Sequence, residues 1–174
     1  MGAFVTVIGL AHSPGEIEAV RSLFEEYWAA FGFTPCFQNF SEELASLPGP
    51  YVPPGGALAL VSVDGVPAGC AALRRVDAMR AEAKRLYVRP RFRRQGLGIA
   101  LLDWIVARAR EADYTELLGD TMPQMDRALA IYDRYGFERI TPYSENPTPG
   151  AIYIRLKLCE PPQAPGSSLL APRS

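Results

Sequence analysis

Histidine is almost absent: His12 is the only one in 174 residues. A histidine-rich metal site or a Ser-His-Asp triad therefore has little to draw on. Cysteine is scarce as well. Cys36, Cys70 and Cys159 are odd in number, widely separated and without metal-like spacing, which argues against a disulfide framework and for free thiols in a reducing cytoplasm. No apolar run reaches membrane-spanning length, and the first residues lack the basic start of a secretory signal. The net charge of −1 gives no overall pull toward nucleic acid or an anionic membrane. A cytoplasmic protein with no membrane or nucleic-acid partner is the expectation.

What is present is globular: 48% hydrophobic and 21% charged residues, enough chain to bury one ordinary core. Residues 1–159 read as a single domain. Residues 160–174, rich in Pro, Gly and Ser, read as a flexible tail. The charge is uneven. Between Arg74 and Arg94 lie nine Lys/Arg against two acids, Asp77 and Glu82.

That basic run leads into the stretch that organises the chain, from Lys84 to Ala109. Lys84–Val88 has strand character, and Pro90 ends it because proline has no N–H for a ladder. Gly96 and Gly98 then open a helix whose apolar positions Leu97, Leu101, Trp104, Ile105 and Ala109 recur at helical spacing. The first turn of a helix leaves amides unpaired and carries partial positive charge, and glycines let a phosphate approach the backbone. A phosphorylated ligand is expected there. A Walker loop would need Gly-Lys-Ser/Thr, which is absent. A dinucleotide fingerprint would need three glycines directly after the strand; Glu116 lies where its ribose-binding acid would fall, but the glycine pattern disfavours that reading.

Around this stretch the chain alternates helices with hairpin strands, which indicates a mixed α/β sheet. Ala3–Leu10 reads as a first strand. Ser13-Pro14-Gly15-Glu16 reads as a capped helix start, followed by Ile17, Val20, Leu23, Phe24, Tyr27, Trp28 and Phe31 at helical spacing. Ala57–Val63 and Val66–Val76 read as strands joined by an Asp64-Gly65 turn. Tyr114–Gly119 reads as the next strand, and Thr121-Met122-Pro123 as the start of a helix capped by Gly136. Phe137–Ile140 and Ala151–Leu158 close the pattern.

Arg93-Arg94-Gln95-Gly96-Leu97-Gly98 resembles the Arg/Gln-x-x-Gly-x-Gly/Ala signature of the GNAT-type N-acetyltransferase superfamily. Leu86-Tyr87-Val88-Arg89-Pro90 before it and Ala130-Ile131-Tyr132-Asp133-Arg134-Tyr135-Gly136-Phe137 after it match two further landmarks, in order. The resemblance implies one mostly antiparallel sheet of about six to seven strands, with two central parallel strands splayed apart and about four flanking helices. It implies acetyl-coenzyme A as cofactor. The amides from Arg94 to Ile99 would hold its pyrophosphate, and the edge of Leu86-Tyr87-Val88 its pantetheine arm. Arg89, Arg91 and Arg93 are candidates for the other phosphates.

By the same resemblance, Tyr132 is the general acid to the departing thiolate, and Glu82 the base that neutralises the amine through water. Partial burial would raise the pKa of Glu82 and help it. Asp120 is the alternative base. Asp120, Tyr143, Glu145, Asn146, Tyr27 and Phe33 are substrate candidates, and the acids among them suit a cationic amine on a small molecule or a protein. Met125 stands where many relatives carry a cofactor-contacting Asn; Gln124 and Asp126 are its nearest substitutes. A homodimer is the assembly such domains often form. The alternative function is a module that binds acyl-coenzyme A without transferring the acyl group.

Overall fold

The computed structural model describes residues 4–32, 39–144 and 148–158. Seven strands form one sheet: β1 (Thr6–Leu10), β2 (Ala57–Val63), β3 (Val66–Arg75), β4 (Arg80–Val88), β5 (Glu116–Thr121), β6 (Glu138–Ile140) and β7 (Ile152–Lys157), in the order β1-β2-β3-β4-β5-β7-β6. Every pair is antiparallel except β4 and β5. Four helices flank the sheet: α1 (Pro14–Ala30), α2 (Phe40–Ser46), α3 (Leu97–Glu111) and α4 (Asp126–Tyr135). The expected mixed α/β architecture with a parallel central pair is what the chain adopts.

Local chemistry accounts for most of the boundaries. Ser13 caps α1 by accepting from the Glu16 amide, and the Glu16 carboxylate accepts from the Ser13 amide in return. Asp64 (φ +48) and Gly65 (φ +76) are both left-handed, the geometry of the tightest hairpin turns. Gly136, at φ +96, ends α4. One boundary departs from the sequence reading. Thr121 remains in β5, paired with Ile152, and α4 begins only at Asp126. The intervening turn is closed by the Met125 amide donating to the Met122 carbonyl at 2.9 Å. Pro123 sits in that turn rather than in the helix.

The sheet carries a core on each face. On one, α3 buries Leu101, Leu102, Ile105 and Val106 against Ala59, Val61, Leu73 and Leu117. Each fully buried Leu or Ile contributes roughly 1.5–3 kcal/mol. On the other, α1 and α2 bury Val20, Leu23, Phe24, Trp28 and Phe40 against Leu58, Cys70, Ala72 and Tyr87. Cys70 is therefore a core thiol. Cys36, Cys159 and the expected tail at 160–174 lie outside the described residues.

What positions the site is the parting of β4 from β5. Only three parallel rungs join them: Arg80 with Glu116, Ala81 with Leu117, and Glu82 with Leu118. Two residues further along β4 the ladder to β3 slips, because Cys70 pairs with Tyr87 while Ala72 pairs with Lys84. That is a bulge with one extra residue on β4, and Arg85 in it is left-handed at φ +58. From there Leu86–Val88 runs on beside β3 with no rung to β5.

Candidate active site

The gap between the strands opens into a cavity of about 910 Å³. One wall is the β4 segment from Ala83 to Val88. A second is the start of α3, and a third is the end of β5 with the first turns of α4. Of the residues expected to bind a cofactor, Leu86, Tyr87, Val88, Arg93, Arg94, Gly96, Leu97, Gly98 and Ile99 all line it. Gln95 is exposed and is not among the lining residues.

The geometry of the loop before α3 follows from the glycines. Gly96 is the N-cap of α3 at φ +77, and Arg94 before it is left-handed at φ +64. No heavy atom lies within 4 Å of where a Gly96 Cβ would stand, and a Gly98 Cβ would meet only Ile131 Cδ1 at 3.6 Å. The backbone here is bare toward the cavity, and the first-turn amides of α3 have no helical carbonyl to bond. Arg93 and Arg94 flank this floor, and Arg127 of α4 lines the opposite side. An anionic ligand with a diphosphate fits that donor set.

Two expected cations are used elsewhere. Arg89 donates to Glu26 through Nε and Nη2 at 2.6–3.1 Å, and through Nη1 to the Pro67 carbonyl at 2.7 Å, which fixes α1 to the sheet. Arg91 lies over the Phe92 ring at 4.6 Å. Neither lines the cavity. Arg93 does, with its Nε donating to the Val88 carbonyl at 3.0 Å.

At the far end, Tyr27, Lys84, Asp120 and Tyr132 share the lining. Burial, with the nearby Tyr27 and Asp120, raises the Tyr132 pKa, so its phenol keeps its proton. Burial likewise pushes Tyr27 up to about 12. Lys84 Nζ lies 3.9 Å from Asp120 Oδ1 and 3.5 Å from Glu82 Oε1, so the ammonium sits between two carboxylates. Thr121, Gln124, Met125 and Asp126 complete the lining; Met125 Sδ accepts a bond from Thr121 Oγ1 at 3.3 Å.

Glu82 behaves differently from expectation. It is 1% exposed and stands behind the cavity wall rather than on it. Arg74 Nε donates to Oε2 at 2.6 Å, and the Tyr143 hydroxyl donates to Oε1 at 2.7 Å. Burial alone would raise its pKa, but Lys84, Arg74 and the Tyr143 hydrogen bond outweigh burial, and the carboxyl falls below the usual range. The partner Arg74 comes from the β3–β4 register, in which Arg74 faces Glu82. Tyr143 is thus brought to the site as a support for Glu82. Its ring packs edge-on against Tyr153 at 5.4 Å, and the Tyr153 hydroxyl donates to the Ser144 carbonyl. The candidates Phe33, Glu145 and Asn146 lie outside the described residues.

Among the lining residues, the sequence reading missed Lys84, Arg85, Phe92, Thr121 and Arg127. Strand alternation through Glu82 and Lys84 was the available signal for Lys84. Nothing local marks the others.

Residues 17–137 match the family model described as the acetyltransferase (GNAT) family. A protein of Schizosaccharomyces pombe described as an uncharacterized N-acetyltransferase is 34% identical over 148 residues, covering 83% of this chain and 90% of its own. One of Dictyostelium discoideum with the same description is 24% identical over 214 residues, covering 87% and 99%. Among solved structures, a GNAT-family acetyltransferase of Staphylococcus aureus superposes with a TM-score of 0.76 at 18% identity, covering 89% of this chain and 100% of that one. The yncA protein of Salmonella typhimurium, solved with its cofactor acetyl-CoA, superposes with a TM-score of 0.69 at 17% identity, covering 93% and 98%.

The lowered pKa of Glu82 has a sign that thermal unfolding can read. Its contribution is fully present above the unfolded value of about 4.3 and is lost as pH falls through the lower folded value. Glu82→Gln keeps an acceptor for Tyr143 but discharges the pair with Arg74 and Lys84. At pH 7 the variant is expected to be about 1–3 kcal/mol less stable. The gap in Tm to the wild type narrows as pH drops below about 4.3. A gap that stays constant down to pH 3 contradicts the ion-pair assignment.

Proposed function

Because the chain belongs to the acetyltransferase (GNAT) family, we propose that it is an N-acetyltransferase moving an acetyl group from acetyl-coenzyme A to a primary amine of a small molecule or a protein. One observation carries the reading. A single cavity joins the bare start of α3, the open edge of β4, and the pair Tyr132 and Asp120. We assign the activity to a domain at 1–159 working in a reducing cytoplasm. The family's cofactor is acetyl-coenzyme A, and the chain's residues fit it.

When bound, acetyl-coenzyme A supplies a thioester whose carbonyl carbon a neutral amine attacks, with the sulfur leaving as a thiolate. The first-turn amides of α3 and the loop from Arg94 to Ile99 bind the pyrophosphate, with Arg93 and Arg127 adding charge. The Leu86–Val88 edge of β4 pairs with the amides of the pantetheine arm. Asp120 takes the proton from the incoming ammonium, since it lines the cavity and Glu82 does not. Glu82, a weak base with its depressed pKa, acts one residue back by holding Lys84 and Tyr143. Tyr132, which keeps its proton, donates to the developing thiolate. Tyr27 borders the acceptor end, together with whatever Phe33, Glu145 and Asn146 contribute.

Thermal unfolding with and without acetyl-coenzyme A, followed by thiol release over polyamines, amino acids, aminoglycosides and peptides, tests the reading. Saturating cofactor raises Tm, because it binds only the folded state, and at least one amine releases thiol. No shift in Tm refutes the assignment. A shift with no thiol release from any amine supports the binding-only module instead.

Two substitutions separate holding from chemistry. Gly96→Asp meets no steric block, because its Cβ has nothing within 4 Å, and Asp bears the strain of the left-handed φ of +77 better than most residues. Its carboxylate faces the pyrophosphate, so the Kd for acetyl-coenzyme A is expected to rise at least roughly tenfold by calorimetry. Undiminished affinity would place the pyrophosphate elsewhere. Tyr132→Phe is expected to lower kcat about 100-fold with that Kd nearly unchanged. Wild-type turnover removes the acid role.

A further inference from the structure

Arg85 and Glu43 form a buried ion pair that the chemistry above does not use. Arg85 Nη2 donates to Glu43 Oε2 at 2.6 Å and Nε to Glu43 Oε1 at 3.1 Å, with the two side chains 5% and 12% exposed. The guanidinium lies against three rings, 4.9 Å from Trp28, 5.5 Å from Phe40 and 6.0 Å from Tyr27. Trp28 and Phe40 themselves stack at 4.0 Å. The Tyr51 hydroxyl donates to Glu43 Oε1 at 2.5 Å. The guanidinium is thus gripped from α1 and α2, and its carboxylate partner from the segment after α2.

The backbone of the same residue is strained. At φ +58, Arg85 is a long, non-glycine side chain in the left-handed region, and such a residue persists only where its surroundings over-determine it. It is also the residue that makes the bulge. The last rung between β4 and β5 is Glu82 with Leu118, and the first rung to β3 past the bulge is Tyr87 with Cys70, in the stretch of β4 that is free of β5. A buried ion pair is weak evidence for stability as such, since apolar residues of similar volume often serve as well. Its position at the turning point of the strand is what calls for a role.

We propose that the Arg85–Glu43 pair is a latch that holds the bulge in β4 and thereby sets the position of the Leu86–Val88 edge for the acyl-pantetheine arm. Arg85 is then a positioning residue for the cofactor, acting through the backbone that follows it. The proposal rests on the reading of the cavity as the acetyl-coenzyme A site. It separates the two halves of the ligand. The diphosphate end meets the start of α3, which the latch does not touch, whereas the arm meets the strand that the latch holds.

Calorimetric binding of acetyl-coenzyme A and of adenosine 3′-phosphate 5′-diphosphate, which has the diphosphate and no arm, tests this. In the double variant Glu43→Leu/Arg85→Met, apolar side chains replace the pair and keep the core filled. In Glu43→Gln the charge alone is lost. Both are expected to weaken acetyl-coenzyme A roughly tenfold by loss of preorganisation, with the Kd of the arm-less diphosphate within about twofold of wild type. Unchanged acetyl-coenzyme A affinity in either folded variant overturns the latch, and so does an equal loss for both ligands. Failure of the wild-type protein to bind acetyl-coenzyme A overturns the underlying reading, and the latch with it.

Discussion

A sheet whose two middle strands run parallel cannot close them with a hairpin, and here the pair is given up after three rungs. Each strand keeps its other neighbour: β4 stays on β3 and β5 stays on β7. The sheet therefore remains whole at its outer parts while its centre opens. An opened centre leaves backbone N–H and C=O groups without ladder partners, at about 1–3 kcal/mol for each group left dry and unsatisfied. Water or a ligand with amides of its own must meet them. The opening begins past the Glu82–Leu118 rung, with the bulge at Arg85 just beyond it, and α3, packed beneath, brings its bare first turn to the same opening.

The two ends of the cavity differ in charge. At the α3 end, Arg93, Arg94 and Arg127 gather around a helix start with its own partial positive charge. At the other, Lys84 stands between Glu82 and Asp120, and Arg74 holds Glu82 from across the hairpin. The first end suits a multiply charged anion. The second is close to neutral, with two cations against two carboxylates. A long ligand with one charged end has a single favourable orientation in such a groove, with that end toward the start of α3.

How much of this was legible follows from the range of each interaction. Gly96, Gly136 and the Asp64-Gly65 turn each mark a local backbone need, and the chain has left-handed geometry at all of these points. The helical stripe of α3 was legible for the same reason. Arg74 and Glu82 are eight residues apart, and only the register of a hairpin brings them together. Arg85 read as one more cation in a basic strand, because neither its bulge nor Glu43, 42 residues away, leaves a local mark. Burial of Glu82 was foreseen in part, but the sign of its pKa shift depended on partners that no local pattern identifies. Thr121 was assigned to a helix start, where Thr is a common cap, yet pairing with β7 held it in the sheet.

Met125 shows why a missing side chain need not displace Tyr132. It is the N-cap of α4 and offers no side-chain bond to the helix. Were Tyr132 placed from that end, its position would be loose. It is placed from the other end. Gly136 turns the chain back so that the Phe137 amide donates to the Tyr132 carbonyl at 3.0 Å, and the Phe137 ring packs 5.2 Å from the Tyr132 ring. The neighbouring Tyr135 hydroxyl donates to Asp103 of α3 at 2.8 Å. The phenol is thus referenced to α3, the same helix whose bare start lines the groove. Both ends of the groove share one rigid element, so the distance between them is built into the fold and does not depend on residue 125.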